Sequence, residues 1–134
     1  AGVKESSGSL EQMSRIRYLC GDKFDLVSGD DALTLPLLAI GGTGVISVVN
    51  NIVPKDVADM VSKFKKGDLE GARKMHYKLL PLIKAVFLET SPVPVKTAMA
   101  LMGMIEPGVR LPLWEMSELN LEKLKKALKD YRLI

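Results

Sequence analysis

The sequence predicts an α/β protein in which short parallel strands alternate with helices, followed by a segment built of helices alone. Three observations carry that reading. Runs of strand character alternate with amphipathic runs from Gly2 to Gly67, and such alternation calls for parallel strands covered by helices. Glycine and proline punctuate the joins, at Gly21, Gly29, Gly41, Gly42, Pro54 and Gly67. From Asp68 onward apolar residues repeat only at helical spacing. Periodicity alone leaves two architectures open, an open doubly wound sheet and part of a (β/α)₈ barrel.

Taken in order, Gly2-Val3-Lys4 reads as the end of a strand. Ser9 with Gln12 fits a capping box, the serine accepting from the amide three residues on and the glutamine reaching back. Met13, Ile16, Leu19 and Cys20 then share a helical face, and Gly21 is a natural stop. Phe24 to Ser28 predicts a short strand, and Gly29-Asp30-Asp31 a turn with an N-capping aspartate. Ala32 to Ile40 predicts a short helix ending at Gly41-Gly42. Val45 to Val49 is mostly β-branched, as expected of a strand buried on both faces. Pro54 sits where a helix begins, and Val57, Met60, Val61 and Phe64 continue it to Gly67. Beyond the boundary at Gly67, Leu69 to Phe87 predicts a long amphipathic helix kinked at Pro81. Ser91-Pro92-Val93-Pro94 is an extended linker into a helix ending near Gly103. Pro107 to Pro112 is loop, and Leu121, Leu124, Leu128 and Tyr131 mark a last helix.

Composition bounds the function classes. The 134 residues are 47% hydrophobic and 26% charged, proportions of a globular chain and not of a disordered one. The longest run without a charge, Ala32 to Pro54, is broken by Pro36 and by Gly41, Gly42 and Gly44, so it does not read as a membrane span. One cysteine excludes an internal disulfide, and one histidine with one cysteine falls short of a zinc site. The net charge of +3 is carried by lysines interleaved with acids. Lys123, Lys125, Lys126, Lys129 and Arg132 therefore read as a solvated helix face, without the interleaved aromatic residues that stack on bases. No nucleic acid or membrane partner and no cofactor or metal is expected. The chain opens Ala1-Gly2-Val3 with no initiator methionine and no secretory signal, which reads as a fragment or a processed product.

In parallel α/β folds functional groups gather at the carboxyl ends of strands. The first such end carries Lys4-Glu5-Ser6-Ser7-Gly8, the second Ser28-Gly29-Asp30-Asp31, the third Ile46-Ser47 and then Asn50-Asn51. A lysine pointing into a crowded apolar mouth loses solvation and approaches neutrality, and the neutral amine attacks a carbonyl to form a Schiff base. Lys4 is thus the candidate nucleophile; the alternative is a solvated lysine at a frayed terminus. The remaining chemistry-bearing residues have structural readings. Gly41-Gly42-Thr43-Gly44 precedes its strand, the wrong order for a phosphate cradle. Asp30-Asp31 reads as capping and not as a metal pair. His76 lies on a helix stripe without a ligand partner. Cys20 is expected buried at a helix end, Trp114 packed between helices, and Met99, Met102, Met104 and Met116 as gap-filling core or interface.

The segment Gly2-Val3-Lys4-Glu5-Ser6-Ser7-Gly8 resembles the Schiff-base segment of the pyruvate-dependent class I aldolase family, and within it most resembles the dihydrodipicolinate synthases. Ser28-Gly29-Asp30-Asp31, Gly41 through Val48, Pro92-Val93-Pro94-Val95-Lys96 and Arg110-Leu111-Pro112-Leu113 follow in family order. The similarity covers essentially the whole chain but only the carboxyl-terminal half of the enzyme. The resemblance implies the last three βα units of a (β/α)₈ TIM barrel over residues 1–67 and a carboxyl-terminal helical domain over 68–134. It implies that Lys4 forms the imine with pyruvate, that Ile46 supplies contacts, including backbone, beside it, and that Gly29 lines the same pocket. Asn50 receives no role. The imine then becomes an enamine that attacks aspartate 4-semialdehyde, and transimination by the substrate amine frees the lysine.

The family's proton-relay tyrosine, threonine pair and carboxylate-binding arginine precede the lysine, outside this chain; Tyr18, Tyr77 and Tyr131 are helical and are not the relay. The resemblance therefore also implies a missing amino-terminal half as partner, inactivity of this chain alone, a homotetramer in the cytoplasm, and a place in lysine and diaminopimelate biosynthesis. Two other readings stand beside it: another pyruvate-dependent aldolase, such as an N-acetylneuraminate lyase or keto-acid sugar aldolase, and a catalytically silent half-barrel module.

Overall fold

The computed structural model describes all of residues 1–134. The strands are β1 (Gly2–Glu5), β2 (Asp25–Ser28) and β3 (Gly44–Val45); the helices are α1 (Leu10–Cys20), α2 (Thr34–Ala39), α3 (Pro54–Lys65), α4 (Leu69–Ala85), α5 (Val93–Leu101) and α6 (Glu118–Asp130). The strands form one parallel sheet in the order β1-β2-β3. Lys4 is registered with Val27, Glu5 with Ser28, and Ser28 with Val45. After β3 the chain is helical, as the loss of strand periodicity predicts.

The chain packs as two units. The first comprises Ala1–Ser47 and Lys55–Lys78. Its core lies on one face of the sheet, where Met13 of α1, Leu26 of β2 and Leu37 of α2 are fully buried, with Ile16, Leu33 and Ile40 packed against them. Successive side chains of a strand alternate between faces. Leu26 and Ser28 therefore face the helices, and both are 0% exposed, while Lys4, Val27 and Gly44 share the opposite face. The second unit comprises Val48–Pro54 and Leu79–Ile134. Leu79, Leu82, Val86, Leu124 and Leu128 are its fully buried side chains of helical spacing. There Glu89 accepts from Ser117 N at 3.0 Å, Ser117 Oγ at 2.7 Å and Asn120 Nδ2 at 2.9 Å, so a distant carboxylate caps the start of α6.

Several local expectations change. β3 is two residues long instead of a buried strand over Val45–Val49. Past Ile46, Ser47 donates to the Asp31 carboxylate, and the backbone winds into a 3₁₀ turn over Val49–Asn51; tertiary hydrogen bonding overrides the β-branched propensity. Ser9 Oγ accepts from Gln12 N at 3.1 Å as predicted, but Gln12 Nε2 donates to Glu5 Oε1 at 3.0 Å. Ser9 N is taken by Ser7 Oγ at 3.2 Å, so the capping box is half formed. Cys20 is exposed, because the cover over α1 stops at Ile16 and leaves Leu19 67% exposed too. Trp114 is 74% exposed in the loop before α6 and does not pack helix against helix.

One side chain not singled out in the sequence ties the strand-helix joins of the first unit. Arg17 donates to Gly21 O at 2.6 Å, Phe24 O at 2.9 Å and Gly41 O at 2.6 Å. It thereby fastens the end of α1 to the approach to β2 and to the α2–β3 turn. Gly41 bends there with φ of 93°, a conformation that glycine adopts without steric cost.

Candidate active site

The three strand ends lie side by side because the strands are parallel and in register. Gly29 N donates to Glu5 O at 2.7 Å, extending the β1–β2 ladder by one step, and Ile46 N donates to Ser28 O at 2.8 Å, extending β2–β3 likewise. Lys4, Gly29 and Ile46 are thus carried on neighbouring strand ends. A methyl group built on Gly29 would overlap Ser6 Oγ and come within 2.5 Å of Lys4 Cε. The sequence places Gly29 where a side chain would occupy the lysine's space, and this contact gives the reason for glycine there.

Ile46 presents its backbone to the ladder and leaves its side chain 54% exposed. Lys4 is also exposed. The apolar enclosure expected around its amine is not provided by residues 1–134: helices cover the other face of the sheet, and three strands leave this face open. Asn50 lies in the 3₁₀ turn after β3 and is exposed.

Polar side chains set the loops around this edge. Glu5 is 5% exposed and alternates away from Lys4. Its Oε1 accepts from Ser7 N at 2.9 Å and from Gln12 Nε2, which pins the loop between β1 and α1. Asp30 Oδ1 accepts from Ala32 N at 2.8 Å, capping the turn after β2, and Ser28 Oγ donates to Asp30 O at 2.7 Å. Asp31 is 2% exposed and accepts from Ser47 Oγ, which joins the β2 loop to the β3 loop. Asp30 therefore caps its turn, as the sequence predicts, and Asp31 bridges two loops, which the sequence did not indicate.

His76 is half-buried on α4 with its ring edge-on to Tyr77, centroids 5.3 Å apart. Burial pushes its pKa below the ordinary histidine value. It sits on a helix and on no strand end. The residue that sequence reasoning passed over is Ser6. The signal was available in the period of two, which returns Ser6 to the face of Lys4.

The class defined by these features is a parallel α/β protein with a lysine and a glycine in contact at adjacent strand ends. Residues 1–131 match the Dihydrodipicolinate synthetase family, and the chain belongs to that family. It is 59% identical over 133 residues to the 4-hydroxy-tetrahydrodipicolinate synthase of Endomicrobium trichonymphae, covering 99% of this chain and 45% of that protein. It is 53% identical to the enzyme of the same name from Syntrophus aciditrophicus, again over 99% of this chain and 46% of the relative. Among solved structures it superposes on dihydrodipicolinate synthase from Aquifex aeolicus with a TM-score of 0.96 and 46% identity, covering 99% of this chain and 45% of that one. On the Thermotoga maritima dihydrodipicolinate synthase the TM-score is 0.95, at 43% identity, with 99% and 46% covered. The chain thus spans a little under half the length of the relatives it matches.

Proposed function

We propose that this chain is the carboxyl-terminal part of a 4-hydroxy-tetrahydrodipicolinate synthase, in which Lys4 bonds covalently to pyruvate and the resulting enamine condenses with aspartate 4-semialdehyde. The observation that carries the reading is the contact of Lys4 with Gly29 at the carboxyl edge of the sheet, in a chain matched over residues 1–131 by the family. The sheet is covered by helices on one face only. Parallel sheets are stable when both faces are covered or when they close. Residues 1–67 accordingly serve as the last three βα units of a (β/α)₈ barrel, and 68–134 as a helical domain.

In the closed barrel the lysine face becomes the interior. The amine is enclosed there, and in its neutral form its lone pair attacks the keto carbon. Water leaves, and the protonated imine acts as an electron sink for the enamine. Gly29 keeps the space beside Cε clear, and the Ile46 strand end forms the adjoining wall. Alone, residues 1–134 leave Lys4 in water and do not turn over. The complete protein works in the cytoplasm as a homotetramer, in lysine and diaminopimelate biosynthesis.

The test uses the full-length protein that contains this chain. Incubation with pyruvate and borohydride, followed by peptide mass mapping, is expected to place a stable adduct on Lys4. Adducts on other lysines only, or none, would overturn the assignment. Product formation with aspartate 4-semialdehyde, and not with sugar aldehydes, checks the second substrate.

A further inference from the structure

We propose that Ser6 is a substrate-contacting residue, its hydroxyl donating a hydrogen bond to the oxygen of the keto acid while that oxygen is being displaced by Lys4. The inference rests on the reading of Lys4 as the imine-forming residue and adds a partner to it. Ser6 Oγ and Lys4 Cε converge on the same side of Gly29, where a single methyl would touch both. The carbon that becomes bonded to the amine is two bonds from Cε, so it stays within reach of that hydroxyl.

The surrounding hydroxyls are otherwise engaged. Ser7 Oγ accepts from Ser9 N, Ser9 Oγ from Gln12 N, Ser28 Oγ donates to Asp30 O, and Ser47 Oγ donates to Asp31. Ser6 Oγ makes no hydrogen bond within the chain and is exposed toward the lysine face. A free hydroxyl held against the reactive side chain, beside a glycine that keeps its place open, fits a group whose partner arrives with the substrate.

The chemistry gives it a task. The Lys4 nitrogen adds to the keto carbon: the C–N bond forms, the C=O π bond opens, and the proton lost by nitrogen ends on the oxygen. A second proton, taken from solvent, converts that hydroxyl to water, the C–O bond breaks, and the nitrogen lone pair completes the protonated C=N. Negative charge builds on oxygen in the first step, and a hydrogen-bond donor placed there lowers its barrier. Ser6 keeps its own proton throughout.

The experiment is a time course of pyruvate adduct formation in the full-length protein, quenched with borohydride and read by mass on the Lys4 peptide. Ser6→Ala is expected to slow adduct formation by about five- to tenfold, the size of one neutral hydrogen bond, with the melting temperature of the parent. Ser6→Thr, which restores a hydroxyl, is expected to recover most of the rate. A Ser6→Ala protein that traps pyruvate at the parent rate, or a Ser6→Thr protein as slow as the alanine, would overturn the role of Ser6 and leave that of Lys4 standing. A parent protein that forms no adduct on Lys4 would overturn both.

Discussion

Gly29→Ala isolates the geometry on which the lysine assignment depends. Gly29 has no positive φ, so alanine meets no backbone strain there. The added carbon would stand 2.5 Å from Lys4 Cε. Two such carbons settle at about 3.5–4.0 Å, so Cε must retreat by more than about 1 Å, and Ser6 must move away as well. The Lys4 side chain is exposed and can move, but Ser6 Cβ stands 2.9 Å from the added carbon and no side-chain rotation clears it, so the Ser6 backbone must shift and stability is expected to fall by about 1–3 kcal/mol. Catalysis is less forgiving, since a displacement of about 1 Å of a reacting group costs on the order of 100-fold. The assay is kcat/KM for pyruvate in the full-length protein, paired with urea unfolding. A Gly29→Ala protein with the parent kcat/KM and parent stability would refute the reasoning, for it would mean that Lys4 does not work from the position seen here.

Three further outcomes follow from hydrogen bonds and burial elsewhere. Arg17→Ala removes donors from three carbonyls and is expected to lower stability by about 2–3 kcal/mol in urea unfolding; Arg17→Lys recovers little, because an ammonium cannot span the three acceptors of the guanidinium fork. Glu89 is held below the ordinary glutamate value by hydrogen bonds from the Ser117 hydroxyl, then Asn120, then the Ser117 amide. A depressed carboxylate stabilises above its unfolded value and loses that contribution as pH falls through its folded one. Protection of the amides at the start of α6, measured against their intrinsic exchange rates, should therefore fall below about 4.5, and Glu89→Gln, which still accepts but does not titrate, should flatten that dependence. Burial lowers the pKa of His76, so the folded protein resists its protonation. The penalty is absent above 6.5 and grows as pH falls below it; a His76→Leu protein should lose less stability in melts on the acid side.

The elements most legible in the sequence are those whose signal is local. Asp30 caps because a side-chain oxygen two residues from Ala32 N can reach it whatever the rest of the chain does. Gly21 and Gly67 stop helices because their positive φ, 69° and 81°, suits glycine. Leu124 and Leu128 point inward because helical spacing leaves them one face to bury. The errors arise where a distant partner decides. Val45–Val49 has strand propensity, but Asp31, far back in the chain, captures Ser47 and turns the backbone. Gln12 could have closed a capping box, but Glu5 offered a buried carboxylate. Cys20 continues the helical stripe that buries Met13, yet the stripe outruns the surface that covers it.

The site divides along the same line. Lys4, Gly29 and Ile46 were readable as strand-end residues, and parallel registration brings their backbones together without further help. Side-chain environment was not readable, because it depends on what stands across the sheet. The expected enclosure of the amine needs strands beyond the three in this chain, and Lys4 is exposed. The lysine's geometry and its reactivity therefore have separate origins. The contact with Gly29 and Ser6 is built by local registry within residues 1–134, whereas the proposed activation of the amine rests on closure of the sheet. Trapping with pyruvate and borohydride distinguishes the two: the full-length protein is expected to take a stable adduct on Lys4, and the isolated chain at the same pyruvate concentration is expected to take far less. Equal trapping in the two would show that closing the sheet does not activate the amine.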